Sequence, residues 1–154
     1  MRPLYETSEQ LRAEASFICD VERLRGVYFI KLPIEWKVDA FVKRGMRTIA
    51  VAELKVRNIA YNQFPDIILS ERKVKAGLKL QRHLWGIEKT FQSAKKLQFL
   101  FLVRLLDGDY YTEVKDDDSY VVDVGGRTSD TRDAQDIERV VHIPMTDFRK
   151  LEAR

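Results

Sequence analysis

After a polar lead the chain settles into a helical period. Leu11, Ala15, Ile18, Val21 and Leu24 recur near helical spacing between Ser8, a residue type that caps helices, and Gly26, a stop signal. Residues 8–25 are therefore predicted to form a helix. Residues 27–32 are β-prone up to Pro33. Residues 36–43 and 47–57 read as two strands around a reversal at Lys43-Arg44-Gly45-Met46, where Gly45 permits a tight turn. Asn58 to Leu69 reads as a loop holding Tyr61, Phe64 and Pro65. Ser70 is placed to cap a second helix, residues 71–85, with room to continue beyond Gly86. Leu97 to Leu106 is strongly apolar and reads as a buried strand, turned by Asp107-Gly108-Asp109 into Tyr110–Val114. Residues 116–136 are polar and Asp-rich around a short run, Tyr120–Val124; Val140–Ile143 reads as a last strand and Thr146–Leu151 as a terminal helical turn. Helix, β-run, hairpin, helix, buried strand and a β-rich end predict a mixed α/β sheet with helices on its faces.

Composition narrows the class. The 154 residues suit one domain, and 45% apolar with 33% charged residues is a globular balance. The longest wholly apolar run, Phe99 to Val103, is far too short to span a bilayer. Arg2, Glu6 and Glu9 stand where an export signal needs an apolar stretch, so a cytoplasmic protein with no membrane partner is expected. A single cysteine, Cys19, excludes an internal disulfide and a Cys-rich zinc site. The net charge of +3 conceals a segregation: residues 43–104 carry 14 Lys and Arg against 4 Asp and Glu, and residues 105–154 carry 7 against 13. A basic middle followed by an acidic end suggests a polyanion-facing surface on one part of the fold.

The candidate chemistry lies in the hairpin. Alternation along residues 47–57 puts Thr48, Ala50, Ala52, Leu54 and Val56 on one face and Ile49, Val51, Glu53, Lys55 and Arg57 on the other. Both faces begin apolar, as in a strand covered on both sides. Glu53 then falls where Ile49 and Val51 mark an interior, and a buried carboxylate costs several kcal/mol unless paired or metal-bound. The preceding strand repeats the anomaly at Asp39. A three-residue loop, Gly45-Met46-Arg47, would pair Arg44 with Thr48 and bring Asp39 opposite Glu53. Like charges so opposed destabilise a sheet by up to ~1 kcal/mol, and a divalent cation between them reverses the sign. Asp39, Glu53 and the Leu54 carbonyl offer the hard oxygen ligands that Mg²⁺ prefers. Lys55, on the same face, could hold a water or a phosphate oxygen.

The tripeptide alone decides nothing, because Glu-x-Lys also occurs at Glu35/Lys37, Glu71/Lys73 and Glu113/Lys115. Only Glu53 sits within an apolar strand and faces an upstream acid across a turn. On the first helix, at ~100° per residue, Glu14 falls within the arc set by Leu11, Phe17, Ile18 and Val21, which calls for a partner. Lys75, Lys79 and Arg82, with Arg72 nearby, form a stripe on the second helix that could neutralise phosphates irrespective of sequence, or simply be a solvated face. Lys73 lies off that stripe and could reach the cleft. His83 and His142 do not make a metal site, Trp85 reads as core, and Tyr61 and Phe64 are placed either to stack on bases or to pack beneath their loop.

An acid on a leading helix (Glu14), an Asp in one hairpin strand (Asp39) and Glu53-Leu54-Lys55 in the next, followed by a helix and a buried strand, resembles the PD-(D/E)xK nuclease superfamily. The resemblance covers roughly residues 8–114, and the texture through Leu69-Ser70-x-x-Lys73 is similar to small phage-encoded members. Val38 stands where the name-giving Pro would be. The resemblance implies a restriction-endonuclease-like core, a mixed central sheet flanked by helices in the order α-β-β-β-α-β, with an extension over about 115–154 inside one domain. It implies Mg²⁺-dependent phosphodiester hydrolysis, with Mn²⁺ able to substitute. Asp39, Glu53 and the Leu54 carbonyl would be the metal ligands, Lys55 the group that orients or activates water, and Glu14 an auxiliary acid. The expected partner is nucleic acid, DNA ahead of RNA, and a homodimer is compatible with the sequence. The alternative is a non-cleaving nucleic-acid- or protein-binding module on the same fold.

Overall fold

The computed structural model describes residues 7–88, 97–126 and 137–153. Residues 127–136 of the polar tract, together with Arg2 and Glu6, lie outside the described residues. Helix α1 spans Ser8–Arg25 and ends on Gly26 in the left-handed conformation, φ 66°. Its cap is Thr7, not Ser8: the Thr7 hydroxyl accepts from the Gln10 N–H at 3.1 Å, and the Gln10 side chain accepts from the Thr7 N–H at 2.9 Å. This reciprocal box satisfies two otherwise orphaned donors, whereas a Ser8 cap would satisfy one.

Strands β1 (Tyr28–Lys31), β2 (Ala40–Arg44) and β3 (Arg47–Val56) form an antiparallel meander. The strand expected over 36–43 begins later. Ile34–Trp36 is a single 3-10 turn closed by Lys37 at φ 65°, which delays the extended run to Asp39 and Ala40. Where a loop was expected, Asp66–Ser70 is strand β4, followed by helix α2 over Glu71–Glu88. Then come β5 (Gln98–Leu105), β6 (Gly108–Glu113), β7 (Val121–Gly126), β8 (Ile137–Pro144) and β9 (Arg149–Lys150). The expected terminal helical turn is only a 3-10 turn, Met145–Asp147, before β9.

Two sheets result. The larger has the order β1-β2-β3-β5-β6-β9, and its β3–β5 pair alone is parallel among the described strands. The smaller is β4-β8-β7, antiparallel throughout. The long crossover from β3 to parallel β5 carries α2. Phe17 and Val21 of α1 pack with Ala50, Ala52, Leu54 and Leu102 on one face of the large sheet. Val74 and Leu78 of α2 pack with Val51, Phe99 and Phe101 on the other, and Leu69, Val141 and Ile143 of the small sheet join that cluster. Strand β3 is thus covered on both sides.

The hairpin differs from expectation in an instructive way. Its turn has two residues, Gly45 and Met46, with Arg44 paired to Arg47 and Lys43 to Thr48. Gly45 supplies the positive φ, 61°, needed at the first position of a tight hairpin turn. A bulge then intervenes: Val42 pairs with Ala50, so Ile49 is the extra residue and packs with the α1-side cluster. Beyond the bulge Ala40 faces Ala52, and Asp39 donates its N–H to the Ala52 carbonyl at 3.1 Å. The bulge restores the offset that a three-residue loop would have given, so Asp39 comes level with Glu53 by another route.

Gly77 lets α2 approach the sheet closely, because a Cβ there would lie 2.1 Å from the Phe99 ring. Gly77→Ala should destabilise the protein by ~1–3 kcal/mol through overpacking. Gly86→Ala meets nothing within 4 Å and should stabilise the helix by ~0.5–1 kcal/mol. Denaturant unfolding of the two variants checks the contrast, and similar effects would contradict this packing.

Candidate active site

Glu53 is fully buried, 0% exposed, in the middle of β3. Its Oε2 accepts from Lys73 Nζ at 2.6 Å across the gap between β3 and α2. Its Oε1 is buried with no hydrogen-bond partner. Asp39 sits beside it, and the Asp39 Oδ2 accepts from the Leu54 N–H at 2.8 Å. That bond fixes the Asp39 carboxylate against the strand that carries Glu53. Burial first, then the charge of Asp39, push the Glu53 carboxyl up to about 8, with Lys73 opposing.

Lys55, two residues along β3, donates from Nζ to the Ile68 carbonyl of β4 at 3.2 Å. Burial, then the positive charges of Arg57 and Lys73, pull its ammonium down to about 8. Lys73 is pulled down by burial, but Glu53, Asp39 and Glu138 outweigh that and hold it above its ordinary value. Two carboxylates and two lysines therefore converge in one cleft. Leu54 turns its side chain into the α1-side core, which leaves its backbone as the part available to that cleft.

The remaining predicted residues fall elsewhere. Glu14 forms an ion pair with Lys31 of β1. The buried side of α1 is centred on Phe17 and Val21, while Leu11 is 51% exposed, so the apolar arc is rotated from the one expected and Glu14 lies at its margin. Arg72, Lys75, Lys79 and Arg82 are exposed along α2. Lys75 pairs with Glu71 at 3.6 Å and Arg82 with Asp116 at 3.9 Å. Gln81 is buried and donates to the Leu97 carbonyl at 3.0 Å, a bond that ties α2 to the start of β5. His142 lies 3.2 Å from Asp66 on the small sheet. Tyr61 stacks on Tyr110 at 4.7 Å between ring centroids, so that ring packs under the loop, whereas Phe64 is exposed.

Sequence reasoning missed two contributors. The Ile68 carbonyl, which holds Lys55, belongs to the strand taken for loop. Glu138, whose charge acts on Lys73 and whose Oε2 accepts from the Ser70 hydroxyl at 3.1 Å, comes from β8. The register of β4 with β8 brings Ser70 opposite Val140, a pairing 70 residues apart that no local pattern signals.

A central mixed sheet with a helix on each face, and an acid pair with Glu-x-Lys on its third strand, is the restriction-endonuclease-like nuclease fold. The sequence model of the family described as "Phage putative PDDEXK endonuclease" matches residues 1–151. The chain belongs to that family and is a nuclease. No curated protein matches it. Among solved structures, Hjc, a Holliday junction resolvase from the archaeal hyperthermophile Archaeoglobus fulgidus, superposes with a TM-score of 0.57. The match covers 94% of this chain and 93% of that one at 14% identity, a likeness of fold. No described helix is long and apolar enough to cross a membrane.

Burial of Glu53 makes metal-free stability depend on pH. The unfolded chain releases this proton near its ordinary pKa of 4.5, whereas the folded protein keeps it to about 8. Between those values the folded state binds more protons, so stability falls as pH rises. In EDTA, Glu53→Gln, which mimics the neutral form, should resemble the parent protein near pH 5 and be the more stable of the two at pH 8. Thermal denaturation across that range measures it; parallel curves would contradict it.

Proposed function

We propose that this nuclease hydrolyses phosphodiester bonds of DNA with a divalent cation, Mg²⁺ or Mn²⁺, held by Asp39, Glu53 and the Leu54 carbonyl. The observation that carries this reading is the Glu53 Oε1, buried and without a partner beside a second carboxylate. A carboxylate sealed in a covered strand with a second acid beside it is a net cost to folding, which a divalent cation offsets. Among the described residues no group of three His, Cys, Asp or Glu is gathered for a metal. That suits Mg²⁺, which binds through one or two carboxylates and keeps several waters. When bound, such an ion neutralises phosphate charge and lowers the pKa of a coordinated water.

The chain's own groups supply the rest. Lys55, with a depressed pKa and its Nζ held at the Ile68 carbonyl, is suited to orient the attacking water and stabilise negative charge on the phosphoryl oxygens. The exposed cations of α2 are suited to the flanking backbone. The ion pair of Arg82 with Asp116 is solvent-exposed on both sides, so it contributes little to stability and is readily traded for a phosphate. Glu14, engaged by Lys31, is suited to a supporting role on the α1 side.

With Mg²⁺, labelled duplex, single-stranded and four-way-junction DNA should be tested beside RNA; the junction is included because the structural neighbour is a junction resolvase. Asp39→Asn and Lys55→Ala should each lower the cleavage rate by roughly 10²–10³-fold, and EDTA should abolish cleavage. DNA retarded on a gel but never cut would favour the binding-module alternative. Undiminished cleavage in EDTA would remove the metal from the reading.

A further inference from the structure

The large sheet is covered unevenly. Helix α2 packs over Val51 of β3 and over Phe99 and Phe101 of β5, but on the same face Ile30 and Tyr28 of the edge strand β1 are exposed. The register sets these side chains in rows that run out from the acid pair. Asp39 and Glu53 share the first row; Ile30, Phe41 and Val51 form the next, and Tyr28, Lys43 and Thr48 the third. Two residues of β2 separate successive rows, roughly 7 Å. Trp36 lies against this strip. Its ring meets Phe41 edge-on, with 6.0 Å between centroids and 75° between planes, yet it is 46% exposed. The Tyr28 ring is held as well, since its hydroxyl donates to the Gly45 carbonyl at 3.0 Å. Lys37 follows Trp36, Lys43 stands opposite Tyr28, and Glu35 is the one acid in residues 28–38. Two fixed aromatic rings with cations beside them therefore stand open to solvent next to the candidate site.

We propose that Trp36 and Tyr28 are a stacking platform for unpaired bases, and that the strand to be cut enters the cleft with its bases laid on these rings. This rests on the reading of the cleft as a DNA-cleaving site. An unpaired base offers a bare π-face, and an aromatic ring accepts it whatever the sequence. Bases inside a duplex are already stacked on one another and have no face to give. Lys37 and Lys43 suit the phosphates between the bases. The strip joins the acid pair row by row, so a strand lying on the rings arrives at Asp39. The substrate class is DNA with single-stranded nucleotides beside the point of cleavage, a tail or a flap, and fully paired duplex is the poorer substrate.

Binding in EDTA separates recognition from cleavage. A labelled duplex with a single-stranded tail should bind the parent protein about tenfold more tightly than the same duplex with blunt ends. Trp36→Ala should remove that advantage and leave affinity for the blunt duplex within about twofold, whereas Trp36→Phe, which keeps a ring, should retain most of it. With Mg²⁺, Trp36→Ala should raise KM for the tailed substrate and leave kcat unchanged. A measurement on the unaltered protein covers the case of a variant that misfolds: a single-stranded oligonucleotide should shield Trp36, the more exposed of the two tryptophans, from acrylamide quenching. Equal affinity for tailed and blunt DNA, or unshielded fluorescence, sinks the platform alone if DNA is still cut. If Trp36→Ala instead turns a dimer into monomers on sedimentation and DNA binding is unchanged, the strip is a contact between copies and the proposal is overturned. If the parent protein neither binds nor cuts any of these DNAs, the reading of the cleft falls and takes this inference with it.

Discussion

The architecture of the site follows from one carboxylate that water cannot reach. Strand β3 is covered by α1 on one face and α2 on the other, so a charge on it has no solvent to fall back on. Glu53 stands at that point with Lys73 donating to one oxygen, no donor on the other, and the Asp39 carboxylate beside it. A glutamate so placed weakens the fold unless cations come to it, and the neighbouring elements are disposed to bring them. The hairpin delivers Asp39 beside it, α2 delivers Lys73, and β4 holds Lys55 within reach. Removing the acid would ease folding and leave no site.

How far this was legible in the chain depends on the range of the interaction. Alternation in residues 47–57 exposed the misplaced acid, because the side-chain period of a strand is strict and the apolar neighbours of Glu53 declare both faces covered. The pairing of Asp39 with Glu53 was reached through the wrong turn. A two-residue turn followed by a bulge at Ile49 produces the same offset as a three-residue loop, and composition around Gly45 does not distinguish them. Helix α1 was legible in extent but not in rotation. Leu11 fits the apolar period, yet it is exposed, because burial is decided by where the sheet lies rather than by the helix alone.

What could not be read was set by distant partners. Asp66–Ser70 follows Pro65 and is short, so it reads as loop until β8 supplies the ladder that makes it a strand. That ladder has functional consequences: it fixes the carbonyl that holds Lys55 and puts Glu138 near Lys73. The polar, acidic end of the chain reads from sequence as an extension, within one domain, of a core ending near residue 114. Its strands are integral to the two sheets: β8 sits between β4 and β7 and ties to the start of α2, while β9 closes the far edge of the large sheet on β6. The extension is part of what builds the cleft.

The charges of the cleft also explain when it should attract its substrate. Without a bound ion Glu53 keeps its proton to about pH 8, so near neutral pH Asp39 stands alone against Lys55 and Lys73 and the four groups carry a net charge near +1. On the proposed reading a divalent cation displaces that proton and raises their sum by one, at a buried point where low dielectric strengthens the field. The basic face of α2 is suited to hold a nucleic-acid backbone loosely and without regard to sequence, and on the proposed reading the bound ion adds to the pull that draws a phosphate down to the acids. The rigidity of the partners fits this order: the carboxylates are fixed by burial and by the Leu54 N–H, and the lysines are long side chains. Anions that must share an ion at fixed distances need a stiff frame, whereas cations that must follow a reacting phosphate need slack.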